Sequence, residues 1–245
     1  MMKVLTYFSA LEAEADEVGA DTAVVIDVIR ATSSMVEALA NGARAIYPTV
    51  STEDAIKLAN SLGREDTLLC GERKGLKIEG FDLGNSPREY TRDRVGGKRL
   101  VMSTTNGTRA FAATHGAGRT VALSFLNLGA VVDELAGTGG EIAVVCAGKD
   151  GRFSLDDAFC AGLFLELLGQ RRGDSGLVLD DASRTALSIA GTYSLDAGFL
   201  GSTAAGAALV DIGLGDDLPV CAERDRHAFV PELVDRMIRI PKAAD

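Results

Sequence analysis

The chain has 245 residues, with 25 lysines and arginines against 35 aspartates and glutamates, a formal charge of −10. Hydrophobic residues make up 47% and charged residues 24%, which excludes wholesale disorder and fits one large packed domain or two small ones. The acidic balance excludes a general binder of nucleic acid or of anionic membranes, because both need a basic face.

Cys70, Cys146, Cys160 and Cys221 form no CxxC pair, and two histidines are too few for a His/Cys zinc site. Each cysteine lies in or beside an apolar stretch and reads as a buried reduced thiol. The opening residues MMKVLTYFSA lack the apolar core of a signal peptide. No apolar run reaches the roughly 18 residues of a membrane span. The expectation is a cytoplasmic protein that uses neither membrane nor nucleic acid.

In chain order, β-branched apolar runs predict strands at 4–8, 22–29, 45–50, 67–72, 99–103, 120–125 and 141–147, with a weaker one at 221–225. Helical periodicity falls between them at 33–43, 52–63, 109–117, 127–137 and 154–169. Two more helices follow at 181–193 and 198–213, then a closing strand and helix. This alternation is that of an α/β protein with a largely parallel sheet covered on both faces. The best linker candidate is RRGDSG at 171–176, and the whole of 1–245 is read as one domain with a possible subdivision there. The apolar 197–215 stretch fits core or the interface of a homo-oligomer, and core is the preferred reading.

Three segments share a plan of apolar strand, polar elbow and helix, and ligands of open α/β sheets bind beyond the carboxyl ends of strands. In the first elbow Asp27 interrupts an apolar strand and is followed by Arg30, Thr32 and Ser33. A buried carboxylate is costly unless it is paired or holds a metal. Asp27 therefore either pairs with Arg30 or holds a hard cation while Arg30 meets an anion. Thr32 or Ser33 is the expected cap of the next helix.

The 71–89 segment is rich in charge and glycine, and Ser86-Pro87-Arg88-Glu89 reads as a capping box. That leaves Glu72, Arg73, Asp82 and Asn85 needing another reason, Glu72 most of all because it ends an apolar strand. The second elbow, Ser103-Thr104-Thr105-Asn106-Gly107-Thr108, offers hydroxyls and backbone N–H groups as an anion cradle. It lacks the Gly-Lys-Ser/Thr ending of a Walker A loop. The third, Cys146 to Arg152, has the cysteine, five residues, arginine spacing of thiol phosphatases, but Phe153 replaces the usual hydroxyl. Ser154, Asp156 and Asp157 open the helix after it. A dehalogenase-type phosphatase would need an acid two residues after Asp27, where Ile29 stands.

Asp27-Val-Ile-Arg-Ala-Thr, Gly71-Glu-Arg, Gly80-Phe-Asp-Leu-Gly-Asn-Ser-Pro87, Ser103 to Thr108 and Phe153-Ser-Leu-Asp-Asp157 occur in that order. So arranged, the chain resembles the 2-phosphosulfolactate phosphatase family, a magnesium-dependent family of the coenzyme M pathway. The resemblance implies a three-layer α/β/α fold with a mixed, largely parallel sheet. It also implies Mg²⁺-dependent hydrolysis of (2R)-2-phospho-3-sulfolactate to 3-sulfolactate and phosphate. Asp27, Glu72 and Asp157 are then the expected metal ligands, with Asp82 in reserve, and Asp27, Arg30 and Asp157 the catalytic groups. Arg73, Asn85 and the 103–108 loop would bind the substrate's anionic groups. Asp156 stands where glutamate is usual. Whether Asp27 attacks or only binds metal is left open by its residue type. The rival readings are a phosphatase of another small 2-phospho-hydroxy acid, a Cys146-dependent phosphatase, and a non-catalytic anion-binding protein.

Overall fold

A computed structural model describes residues 1–173 and 176–241. Asp174 and Ser175, at the centre of the segment read as a linker, lie outside the described residues. The chain runs β1 (Met2–Tyr7), α1 (Ala10–Asp16), β2 (Thr22–Ile26), α2 (Ala31–Ala40), β3 (Ala45–Pro48), α3 (Thr52–Leu62), β4 (Thr67–Arg73) and β5 (Leu76–Lys77). It continues through α4 (Arg92–Val95), β6 (Arg99–Ser103), α5 (Gly107–Ala113), β7 (Arg119–Leu123), α6 (Leu128–Ala136), β8 (Glu141–Cys146) and α7 (Leu155–Arg172). Then come β9 (Leu177–Leu179), α8 (Asp181–Ala190), α9 (Ala197–Ser202), α10 (Ala204–Asp211), α11 (Leu218–Cys221), β10 (Glu232–Val234) and β11 (Met237–Arg239).

The strands form one mixed sheet in the order β5-β4-β6-β3-β11-β10-β7-β2-β8-β1-β9. Within β4-β6-β3 and within β7-β2-β8-β1-β9 every pairing is parallel. The β10–β11 hairpin joins these blocks by antiparallel pairs on both sides, so the blocks run in opposite directions. Residues just beyond the carboxyl ends of β2 and β6 nonetheless line one crevice, Asp27 and Arg30 after the first and Thr105 and Asn106 after the second.

β2 is buried along its whole length, as a strand covered on both faces must be. Its Val24 and Ile26 pack with α6 and α7 through Val131, Leu135, Phe159 and Phe164. Val25 faces the other way, toward Met35 of α2 and Phe111 of α5. The architecture is therefore three-layered.

Three sequence expectations change. The weak strand at 221–225 is the end of α11 and a turn, and the closing strand and helix are instead the β10–β11 hairpin. These short strands carry no alternation long enough to read. The helix expected over 198–213 breaks at Thr203, whose side chain accepts from Gly206 N and caps α10. Part of the 197–215 stretch is core, with Leu200 and Leu209 buried, while Val210 is exposed.

Gly71 sets the register of the site-bearing strand β4. It has φ +143°, and a Cβ there would lie 2.0 Å from the carbonyl oxygen of Ser103 on the neighbouring strand β6. Gly71→Ala is expected to cost more than about 2 kcal/mol, read as a lowered denaturation midpoint.

Candidate functional site

The three elbows meet at a crevice of about 390 Å³. Asp27 and Arg30 reach it from the turn after β2, Thr105 and Asn106 from the loop after β6, and Asp156 and Asp157 from the first turn of α7. Glu72 at the end of β4 and Asn85 complete the sequence-predicted lining. An 18-residue helix opening with two aspartates is favourable locally, because its N-terminal dipole attracts negative charge.

The carboxylates differ in what their oxygens do. Asp157 accepts Val28 N at 2.8 Å on Oδ1 and Gly148 N at 3.0 Å on Oδ2, tying the end of β2 to the loop after β8. Glu72 accepts Thr105 N and Gly75 N, both at 2.7 Å, and so fixes the 103–108 loop and the β4–β5 turn. Asp27 accepts Ala31 N on Oδ1 at 3.0 Å, and its Oδ2 accepts no hydrogen bond among the described residues. Asp156 takes the Ser154 hydroxyl on Oδ1, leaving Oδ2 without a side-chain partner.

Burial pushes the Asp27 carboxyl up to about 7, helped by the negative charges of Asp156 and Glu72, against the Ala31 N–H and Arg30. Burial likewise raises Asp156. It raises Asp157 well above the carboxylate range, with the charges of Asp156 and Asp27 adding to it. Such crowding fits a hard cation, and the free oxygens are those of Asp27 and Asp156. Among the described residues no three acidic, imidazole or thiol groups converge as a ligand set. Two carboxylates completed by water suit Mg²⁺, which keeps part of its hydration shell. Within the expected set of Asp27, Glu72 and Asp157, the last two accept one backbone N–H on each oxygen, while Asp27 keeps one oxygen without a hydrogen bond among the described residues.

Other expectations are redistributed. Arg30 pairs with Asp217 at 2.8 Å, not with Asp27. Thr32 and Ser33 do not cap α2: Thr32 Oγ1 accepts from Asp27 N and donates to Asp27 O, and Ser33 donates to Val28 O. Ser86 makes no cap bond and donates to Asp217, so the capping box is not formed. Arg73 turns away from the crevice to Glu72 O and Ser103 Oγ. Asp82 is spent on Leu69 N and Arg64, outside the crevice. Thr104 and Thr108 bond each other, and Thr105 N is taken by Glu72, so the N–H cradle narrows to Asn106 and Gly107. Gly107 is required there, since a Cβ would lie 2.7 Å from Asp27 Oδ2 and 2.5 Å from Ala31 Cβ.

Cys146 is fully buried in the core, and burial holds its thiol well above the ordinary range. Neither Cys146 nor Arg152 lines the crevice, so the thiol-phosphatase reading finds no support there.

The sequence reading missed Lys74, Lys149 and the α10 wall of Ala205, Ala208 and Leu209. Lys74-Gly75, both at positive φ, is a two-residue hairpin turn that local signals could have revealed. Nothing local marks α10 as a wall of the crevice, or Asp217 as the partner of Arg30. Asn85 Oδ1 and Thr105 Oγ1 are buried in the crevice lining without a partner among the described residues.

A carboxyl raised from 3.8 to about 7 in the folded state costs stability as pH rises between those values, because the folded form then holds a proton that the unfolded form has lost. In EDTA, Asp27→Asn is therefore expected to raise Tm by several degrees at pH 8 and to leave it unchanged below about pH 4. A gain independent of pH would contradict this.

A sequence model of the 2-phosphosulpholactate phosphatase family matches residues 8–236. A probable 2-phosphosulfolactate phosphatase of Clostridium acetobutylicum is 39% identical over 231 residues, covering 94% of this chain and 97% of the relative. Proteins of the same name from Thermotoga petrophila and Symbiobacterium thermophilum are 40% identical over 214 residues and 39% over 225. Those alignments cover 87% and 91% of this chain, and 89% and 96% of the relatives. No described helix is long and apolar enough to cross a membrane. By family match and identity along nearly its whole length, the chain belongs to the 2-phosphosulfolactate phosphatase family, a family of phosphoric monoester hydrolases.

Proposed function

We propose that the protein is a cytoplasmic Mg²⁺-dependent phosphatase of a small 2-phospho-hydroxy acid, with (2R)-2-phospho-3-sulfolactate as substrate and a place in coenzyme M synthesis. Water adds across the bond between phosphorus and the C2 oxygen, which breaks to give 3-sulfolactate and inorganic phosphate. The supporting observation is one crevice in which the spare oxygens of Asp27 and Asp156 meet a fixed guanidinium and two lysines.

Asp27 and Asp156 would hold Mg²⁺, which supplies Lewis-acid polarisation of a phosphoryl oxygen. Arg30, with N–H groups to spare, binds an anionic group of the substrate by charge-assisted hydrogen bonds. Lys74 and Lys149 at the crevice offset the remaining negative charge of a substrate that bears phosphate, carboxylate and sulfonate. Asn85 and Thr105 bring unpaired polar atoms to the same space, where a ligand satisfies them. The apolar α10 wall excludes water from one side and packs against the carbon skeleton.

Phosphate release from phosphosulfolactate and from phospholactate is expected with Mg²⁺ and abolished by excess EDTA. Release that survives EDTA overturns the metal reading, and faster release from phospholactate overturns the preference for a sulfonate.

The division of labour among the acids predicts separable variants. Asp27→Asn and Asp156→Asn are expected to lower kcat by several powers of ten in a folded protein. Asp157→Ala leaves two buried N–H groups unpaired, at about 1–3 kcal/mol each. It is expected to lower Tm by several degrees, seen by calorimetry.

A further inference from the structure

Asp217 lies 187 positions from Arg30, in the turn before α11, and is 1% exposed. It does not line the crevice, yet one of its oxygens holds Arg30 of the crevice wall and the other holds Ser86, the chain neighbour of the lining residue Asn85. Oδ2 accepts from Arg30 Nη1 at 2.8 Å, and Oδ1 accepts from Ser86 Oγ at 2.6 Å. Ser86 follows Asn85, whose buried Oδ1 has no partner among the described residues. Arg30 also donates from Nη2 to the Gly75 carbonyl at 2.6 Å, which ties the β4–β5 turn into the same knot.

Stability alone is a poor reason for this arrangement. A buried ion pair contributes little net stability compared with well-packed apolar residues of the same volume. It does fix geometry. Arginine carries five N–H donors in a rigid fork, and two of them are anchored here. The other three have no protein acceptor among the described residues, while Arg30 itself lines the crevice. A guanidinium already ordered does not add its rotamer entropy to the cost of binding an anion.

We propose that Asp217 is a positioning residue, holding Arg30 directly and Asn85 through Ser86 in the orientation that receives an anionic group of the substrate. This rests on the reading of the crevice as an anionic phosphoester site.

The test is a double-mutant cycle read by calorimetric titration with inorganic phosphate and with 3-sulfolactate, in Mg²⁺, with folding checked by circular dichroism. Arg30→Lys identifies the anion that Arg30 binds. For that anion, Asp217→Asn is expected to weaken binding at least 10-fold. The double variant is expected to be no more than about 2-fold weaker than the worse single one. Ser86→Ala, which leaves the Arg30–Asp217 pair in place, is expected to weaken binding 2- to 5-fold and to raise KM with little change in kcat. If Asp217→Asn does not fold, Ser86→Ala decides, and unchanged affinity in it overturns the proposal. Unchanged affinity in folded Asp217→Asn, or losses that multiply in the double variant, overturns the proposal and leaves the crevice reading standing. A wild-type protein that binds neither anion and hydrolyses no phosphoester overturns both.

Discussion

The Asp157 carboxylate is the joint on which the crevice depends. By accepting the N–H groups of Val28 and Gly148, it stitches the end of β2 to the loop after β8, and both elbows take their direction from that junction. Backbone N–H groups at the ends of parallel strands have no ladder partner, so a buried carboxylate that accepts two of them satisfies donors that would otherwise be costly. The same two bonds help Asp157 tolerate its burial, together with the N-terminal dipole of α7. Glu72 plays the matching part on the other side, holding the β4–β5 turn and the loop after β6 with one oxygen each.

With these two acids engaged in architecture, Asp27 and Asp156 remain as buried carboxylates with oxygen to spare. Their proximity and burial make the ionised cluster unfavourable in the metal-free protein. On the proposed reading, a bound cation relieves that repulsion. The chain as a whole carries −10, so the crevice needs local positive charge to accept an anion. Arg30, Lys74 and Lys149 set three positive charges against the six acids that also line it, and on the proposed reading a bound cation makes up part of the difference.

The sheet explains how segments so distant in sequence meet. Two parallel blocks of opposite direction are separated by a short antiparallel hairpin, and the loops that follow β2 and β6, one in each block, reach the same crevice. Arg30 then gathers the β4–β5 turn and the turn before α11 around one guanidinium. α10, beside that turn, supplies the apolar side of the crevice, so its apolar pattern serves a wall as well as the core.

Much of this was legible in the residues. The fully buried run of β2, the small polar elbow after β6 and the acidic opening of α7 are local patterns with local physical causes. They determined the α/β class, the order of motifs and the presence of Asp27, Glu72 and Asp157 near the ends of elements. The partition among those acids was not legible. An aspartate that braces two backbone N–H groups and one that keeps a free oxygen are the same residue type at similar positions. Which oxygen finds a partner depends on elements more than a hundred residues away, as with Val28 and Asp157. Ser86 shows the same limit: its capping-box sequence is sound, but an Asp217 oxygen at 2.6 Å wins its hydroxyl. Local sequence determines what each group can do, and only tertiary packing decides which of the competing partners reaches it, because hydrogen bonds and charges act over a few ångströms of space irrespective of chain distance.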